Sequence, residues 1–231
     1  MLNNLKIGRR LAFGFGVLLL LLIINIAVGY VAIGKIDHAV TDITQDKFPK
    51  VQTLFDIKEQ INIAARALRN IALSKDITIR KQEEERMKVA ADTVVKHFKQ
   101  LEKTVRTEQG KKDLAEIEAA RTRYIEARKP LFNMFDKGKW DDATNYLLND
   151  FRKTQNAYFA AVDNMLKNQE KSAETASDDA DKLAHKADIA LLCIGLGAVL
   201  LGIWLGWYIT RSITGPINAC VDAANKIASG N

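Results

Sequence analysis

Arg66 and Arg69 stand three residues apart, a spacing that puts both guanidinium groups on one face of a helix. Guanidinium forks take carboxylates through paired N–H donors, so the chemistry open to this pair is capture of a small anion. Thr154 and Tyr158, four residues apart, add a hydroxyl and a phenol that would orient such a ligand. Lys88 and Arg128 contribute further cations, and Tyr124 a second phenol. The competing reading is a solvated surface on which Glu83, Glu84 and Glu85 pair with these cations. Catalytic chemistry has no counterpart in the sequence: there is no Gly-rich phosphate loop and no nucleophile–base pair. His38, His97 and His185 lack metal-ligand spacing and read as surface histidines, so neither an enzyme nor a cofactor is expected.

Residues that could share a ligand need elements to bring them together, and the apolar pattern supplies helices. Residues 11–33 and 189–209 are apolar runs without Asp, Glu, Lys or Arg. At 1.5 Å per residue each gives about 32–35 Å of helix, enough to cross a hydrocarbon core of ~30 Å. Between them, apolar residues recur at helical spacing. Helix one reads Ile36, Val40, Ile43, Val51, Leu54, Ile57, Ile61, Leu68, Ile71; helix two reads Met87, Ala91, Val94, Phe98, Leu101, Val105. Helix three reads Leu114, Ile117, Tyr124, Leu131, Phe135, and helix four Leu147, Phe151, Thr154, Tyr158, Val162, Met165. Turns are predicted at 74–76, 107–110 and 137–139, and such short connections force antiparallel neighbours. The fold class expected is all-α: an antiparallel up-down-up-down four-helix bundle over residues 34–188, flanked by two transmembrane helices. Pro49 should loosen a turn near residues 45–48, unless the helix starts afresh at the proline.

Counted along such helices, Arg66 lies about 47 Å from Lys35, and Thr154 about 50 Å from Ala187. Lys88 and Arg128 fall near the same height, with Arg121, Tyr124 and Tyr158 one or two turns lower. One layer of the bundle thus gathers the candidate ligand-binding residues.

Charge sets the expected orientation. Lys6, Arg9 and Arg10 precede the first run and Arg211 follows the second, which places residues 1–10 and 210–231 in the cytoplasm and the bundle outside. The first run is too long for a signal peptide's apolar region and is read as a retained anchor. Trp204, Trp207 and Tyr208 form an aromatic belt that would fix the second helix against membrane lipid. A net charge of +6 is read as owed mostly to these flanks, so no nucleic-acid partner is implied. Both cysteines, Cys193 and Cys220, lie outside residues 34–188, so no disulfide holds that segment.

Beyond the second run, Pro216-Ile217 is followed by Val221, Ala224 and Ile227-Ala228-Ser229-Gly230-Asn231. This resembles the first helix of a HAMP linker, with Asn231 where that family usually has Asp. Phe48-Pro49-Lys50-Val51, Arg66-Ala67-Leu68-Arg69 and Gly138-Lys139-Trp140-Asp141-Asp142-Ala143 are similar to the sensor domain of methyl-accepting chemotaxis proteins. The resemblance implies a receptor of the bacterial inner membrane with a periplasmic sensor domain, working as a homo-oligomer, with a dimer expected. It implies arginines of helix one and polar residues of helix four as ligand contacts, the ligand being a small carboxylate, an organic acid or an amino acid. It also implies output to a cytoplasmic kinase and coupling protein through a region following residue 231. The alternative is the sensor half of a histidine kinase or a diguanylate cyclase with the same input architecture.

Overall fold

The computed structural model describes residues 7–228, the side chain of Lys226 excepted, and they are helical apart from connections at 75–76, 105–107 and 137–139. Six α-helices follow in order: α1 (Ile7–Asp42), α2 (Phe48–Ser74), α3 (Ile77–Thr104), α4 (Glu108–Asp136), α5 (Trp140–Tyr146) and α6 (Arg152–Ala228). Ile43–Lys47 joins α1 to α2, and Leu147–Phe151 joins α5 to α6, as π-helical turns. The chain divides into two compact units, Val40–Ser177 and the segments on either side. Ser229, Gly230 and Asn231, which complete the HAMP-like pattern, and Lys6 of the basic flank lie outside the described residues.

Val40–Ser177 is the four-helix bundle. Its connections are made by local chemistry. Lys75 ends α2 in the left-handed conformation with φ 53°, and Asp76 caps α3 by accepting from the backbone N–H of Thr78 at 2.6 Å. Thr107 caps α4 in the same way, its Oγ1 accepting from the N–H of Gly110. The turn therefore lies at 105–107 rather than 107–110, and Gly110 is a buried residue inside α4. A Cβ there would meet Val105 Cγ1 at 2.6 Å and Thr107 Oγ1 at 2.9 Å, so glycine serves close packing and not chain reversal. Gly138, with φ 68°, provides the third reversal.

Pro49 acts as expected of a proline within a continuous helix. It has no N–H for the carbonyl of Gln45, and the helix answers by widening: the N–H of Phe48 reaches back five residues to the carbonyl of Ile43. The second π-turn was not foreshadowed. Across it, Leu147 and Phe151 both stay in the core.

The core runs the length of the bundle through Leu54, Ile57, Leu68 and Ile71 of α2, Met87, Val94 and Leu101 of α3, Ile117, Leu131 and Phe135 of α4, and Phe151, Val162 and Met165 of the fourth helix. Several predicted seam positions shift by one residue, among them Ala91, which is half-buried beside a buried Ala90. Gln155 is buried where Thr154 was expected, leaving Thr154 half-buried, and Asp113 is buried beside a half-buried Leu114.

In the other unit, the most apolar windows are only 6% buried, unlike the core helix of a soluble protein. Two helices are thus long and apolar enough to cross a membrane. Within this unit Asn25 Nδ2 donates to the carbonyl of Leu191 at 3.4 Å, and Gly14, Gly29 and Gly202 face Ile209, Leu191 and Leu18. Arg10 likewise donates to the carbonyl of Ser212 at 3.4 Å, and small residues with interhelical polar contacts are how helices associate in apolar surroundings.

Candidate functional site

A cavity lies inside the bundle between α2, α3, α4 and α6, and about 60 Å³ of it is open to the centre of a water molecule. Its inner wall is Ile61, Ala64, Ala90 and Val94, with Tyr124 and Tyr158 closing it; all six are buried. Gln60, Ala91, Arg121, Ile125 and Arg128 are half-buried and form the rim. The alanines create the space: Ala64 and Ala90 occupy seam positions that Ile, Leu and Met fill elsewhere in this core.

Tyr124 and Tyr158 line the cavity with their rings, and their hydroxyl oxygens are covered rather than open to it. Their rings lie 5.7 Å apart, and Tyr124 also packs against Phe151, at the end of the second π-turn, at 5.0 Å. Neither hydroxyl has a hydrogen-bond partner within the protein, although both are buried. A buried hydroxyl without a partner carries a penalty of about 1–3 kcal/mol. Burial pushes Tyr124 up to about 12, with Arg128 pulling the other way. Burial also pushes Tyr158 up, opposed by the nearby Arg121 and reinforced by Tyr124. At neutral pH both are un-ionised and free to donate. Each hydroxyl therefore lies within electrostatic reach of one rim arginine.

The remaining predicted residues sit elsewhere. Arg128 stacks over Phe132 at 5.8 Å and also borders a groove of about 420 Å³, into which Lys88, Arg80, Glu84 and Asp92 face. Lys88 is exposed and lies 3.9 Å from Glu85, the one contact anticipated among Glu83, Glu84 and Glu85. Arg66 and Arg69 are exposed on the outer face of α2; Arg66 pairs with Glu59 at 2.7 Å, and Glu83 instead accepts from Asn70. Both arginines lie outside the cavity, because Ala64, Ala65, Ala67 and Leu68 are the residues this stretch of α2 turns inward. Thr154 does not line it either. So the structure brings together Tyr124, Tyr158 and Arg128, and links Lys88 to them only through the groove beside Arg128.

Reasoning from the sequence placed Arg121 near this layer without assigning it a role; its position seven residues before Arg128, two turns along one face, was the available signal. His97 also departs from expectation. It is half-buried, with Nδ1 enclosed and lacking a partner and Nε2 4.0 Å from Asp56.

A second polar region surrounds the 105–107 connection, in a cleft of about 590 Å³. Asp113 is its buried centre, accepting from Gln109 Nε2 at 2.8 Å and Asn168 Nδ2 at 2.9 Å, which ties α4 to α6. Lys50 pairs with Asp46 at 2.6 Å, and Lys47 with Asp42 at 3.1 Å, across the first π-turn. No stripe of apolar residues signals this cluster, which explains why it was missed.

In the other unit, Trp204 and Tyr208 stack at 5.6 Å, and Arg211 lies over Trp207 at 5.4 Å. These contacts join the three aromatics at the end of the second apolar run to one another and to Arg211 in two pairs. Among the described residues, no group of three or more His, Cys, Asp or Glu side chains is placed to hold a metal ion.

The profile of the four helix bundle sensory module for signal transduction matches residues 4–184. A protein of Acetivibrio thermocellus that carries the description of a sensory transducer is 25% identical over 150 residues. The aligned stretch covers 64% of this chain and 26% of that relative, so the chain spans about a quarter of its length.

Proposed function

The chain belongs to the four-helix-bundle sensory modules for signal transduction of chemoreceptors, and on that premise we propose that it is the sensing half of a bacterial transmembrane receptor for a small anionic ligand. The observation that carries this reading is the cavity of the sensory bundle, at whose rim two half-buried arginines, Arg121 and Arg128, stand together. Organic acids and amino acids are the ligand classes that such donors take. The basic flanks around Arg9, Arg10 and Arg211 support cytoplasmic termini, a bundle in the periplasm and a place in the inner membrane.

The receptor works as a homodimer. The outer face of α2 supports this, since it exposes Phe48, Phe55 and Leu73 along with Arg66 and Arg69. Arg66 and Arg69 would reach a ligand only where a second copy closes over that face. Binding favours one arrangement of the bundle helices, and α6, unbroken from Arg152 to Ala228, carries a shift of about 1–2 Å into the second apolar run. A cytoplasmic kinase with its coupling protein receives it beyond residue 231.

Fusing residue 231 to a chemoreceptor kinase-control module, in cells without other receptors, tests the reading. Kinase activity should change on adding one of a panel of organic acids and amino acids. A fusion that reaches the membrane and supports kinase activity, yet answers to none of them, refutes it.

A further inference from the structure

We propose that the groove between α1 and α6 at the bundle-side ends of the apolar runs is a site for one anionic phospholipid, its phosphate held by Lys35 and Lys186 and an acyl chain laid along the aliphatic wall of α1. The inference goes beyond ligand sensing and rests on the reading that these two helices cross a membrane.

Register is the first argument. Within this unit the helices run antiparallel, with Gly29 against Leu191 and Asn25 against Gly195. Lys35 stands six residues beyond Gly29, and Lys186 five residues before Leu191. The two lysines are therefore level to within one residue's rise, about 1.5 Å. Both are exposed, and both border the groove.

Their charge is the second argument. Neither lysine has an Asp or Glu three or four residues away on its own helix, where such pairs form. Asp37 and Asp188 are each two residues off, a spacing that turns them away. No acidic residue lines the groove. Two cations thus meet at one height with no counter-charge beside them.

The wall is the third argument. Ala27, Val28, Val31 and Ala32 of α1, with Ala187 across from them, line a groove of about 440 Å³. From Ala27 to Lys35 it follows about 12 Å of helix. Lys35 lies two residues past Ile33 and Lys186 three before Ile189, the ends of the apolar runs, and exposed Tyr30 marks the same boundary. The lysines then stand at headgroup height, with the aliphatic wall reaching into the hydrocarbon. A soluble phosphate would meet the cations and leave that wall bare. A zwitterionic lipid would bring its own cation to them. An anionic phospholipid matches both parts.

Native mass spectrometry of the full chain in detergent micelles, titrated with phosphatidylglycerol and phosphatidylcholine of matched acyl chains, tests this. Phosphatidylglycerol should bind about tenfold or more tightly than phosphatidylcholine, each lysine being worth about fivefold. Lys35→Gln and Lys186→Gln should each weaken it about fivefold, and together at least about tenfold. Arg9, Arg10 and Arg211 are the same in every variant, so any share they have in lipid binding cancels. Ala32→Phe, or Ala187→Leu from the opposite wall, should weaken it about as much by filling the groove with the charges left in place. Phosphatidylglycerol binding unchanged in the double lysine variant overturns the site. A loss there that neither groove-filling variant shares would mean that charge draws lipid to the surface at large, and overturns the groove. Displacement of the lipid by inorganic phosphate overturns lipid as the occupant. Release of the chain from membranes by alkaline carbonate overturns the spanning reading and the site together, whereas a chain that stays in the membrane and shows no lipid preference overturns the site alone.

Discussion

Replacing Tyr158 by phenylalanine should stabilise the unliganded protein, the reverse of what loss of a polar group in a core usually does. The Tyr158 ring is 3% exposed and packs on Tyr124 at 5.7 Å, contacts that phenylalanine keeps. What is lost is a hydroxyl whose burial goes uncompensated, a penalty of about 1–3 kcal/mol. The hydroxyl oxygen is covered even from the cavity, so no water offsets the penalty, and a gain of about 1–3 kcal/mol corresponds to a rise in Tm of roughly 4–12 °C for a unit of this size. Thermal unfolding followed by circular dichroism at 222 nm reads it. A variant that melts below the natural protein would show the hydroxyl to be a structural hydrogen-bonding group.

The same phenols predict alkaline instability. Tyr124 is pushed up to about 12 and Tyr158 is also raised, so the fold keeps protons that the unfolded chain releases near pH 10. The unfolded state then binds fewer protons, and stability falls from about pH 10 towards 12, by about 3 kcal/mol for Tyr124 alone. Phenolate absorbance at 295 nm should show Tyr124 and Tyr158 ionising only as helical dichroism is lost; all five tyrosines of the chain titrating near pH 10 in the folded protein would refute this. Asp113→Ala should destabilise the bundle by about 3 kcal/mol in urea unfolding, because it leaves the Gln109 and Asn168 amides without their shared acceptor. A loss under about 1 kcal/mol would mean that water replaces the carboxylate. Arg66→Ala and Arg69→Ala should leave the stability of the bundle within about 0.5 kcal/mol in urea unfolding, since both side chains are exposed and Arg66 pairs with Glu59 at the surface. A loss above about 1 kcal/mol in either would show that its side chain holds the bundle together.

The helices were legible because their signals repeat. Each of the four carries apolar residues at helical spacing over many turns, so one misplaced position, such as Thr154 for Gln155, leaves the fold unchanged. The connections were legible to within two or three residues, through Asp76 and Gly138, whose roles are local. Gly110 misled because glycine suits both a chain reversal and a tight helix contact, and only the third dimension separates them. Pro49 announced the first π-turn by removing a backbone donor. No residue between Leu147 and Phe151 lacks a donor or breaks a helix, so the second π-turn left no trace as plain as a proline; beside it Asn149 Nδ2 donates to the carbonyl of Asn145 at 3.0 Å, a contact the sequence does not announce.

The cavity is illegible for a more general reason: the residues of its wall are ordinary choices for a helical core. Ala64, Ala90, Tyr124 and Tyr158 are small or aromatic residues of the kind any helix turns inward, and nothing in one helix reports what the others place opposite. Only when they face one another do two small residues become a void and two phenols become partnerless. The combination is unfavourable. Leucine at Ala64 with phenylalanine at Tyr158 would remove much of it while respecting every rule of helix patterning. A core that satisfies its local rules everywhere, yet leaves volume unfilled at one level, places its exception where a ligand can supply what is lacking. Arg121 and Arg128 at the rim then give the missing occupant its charge.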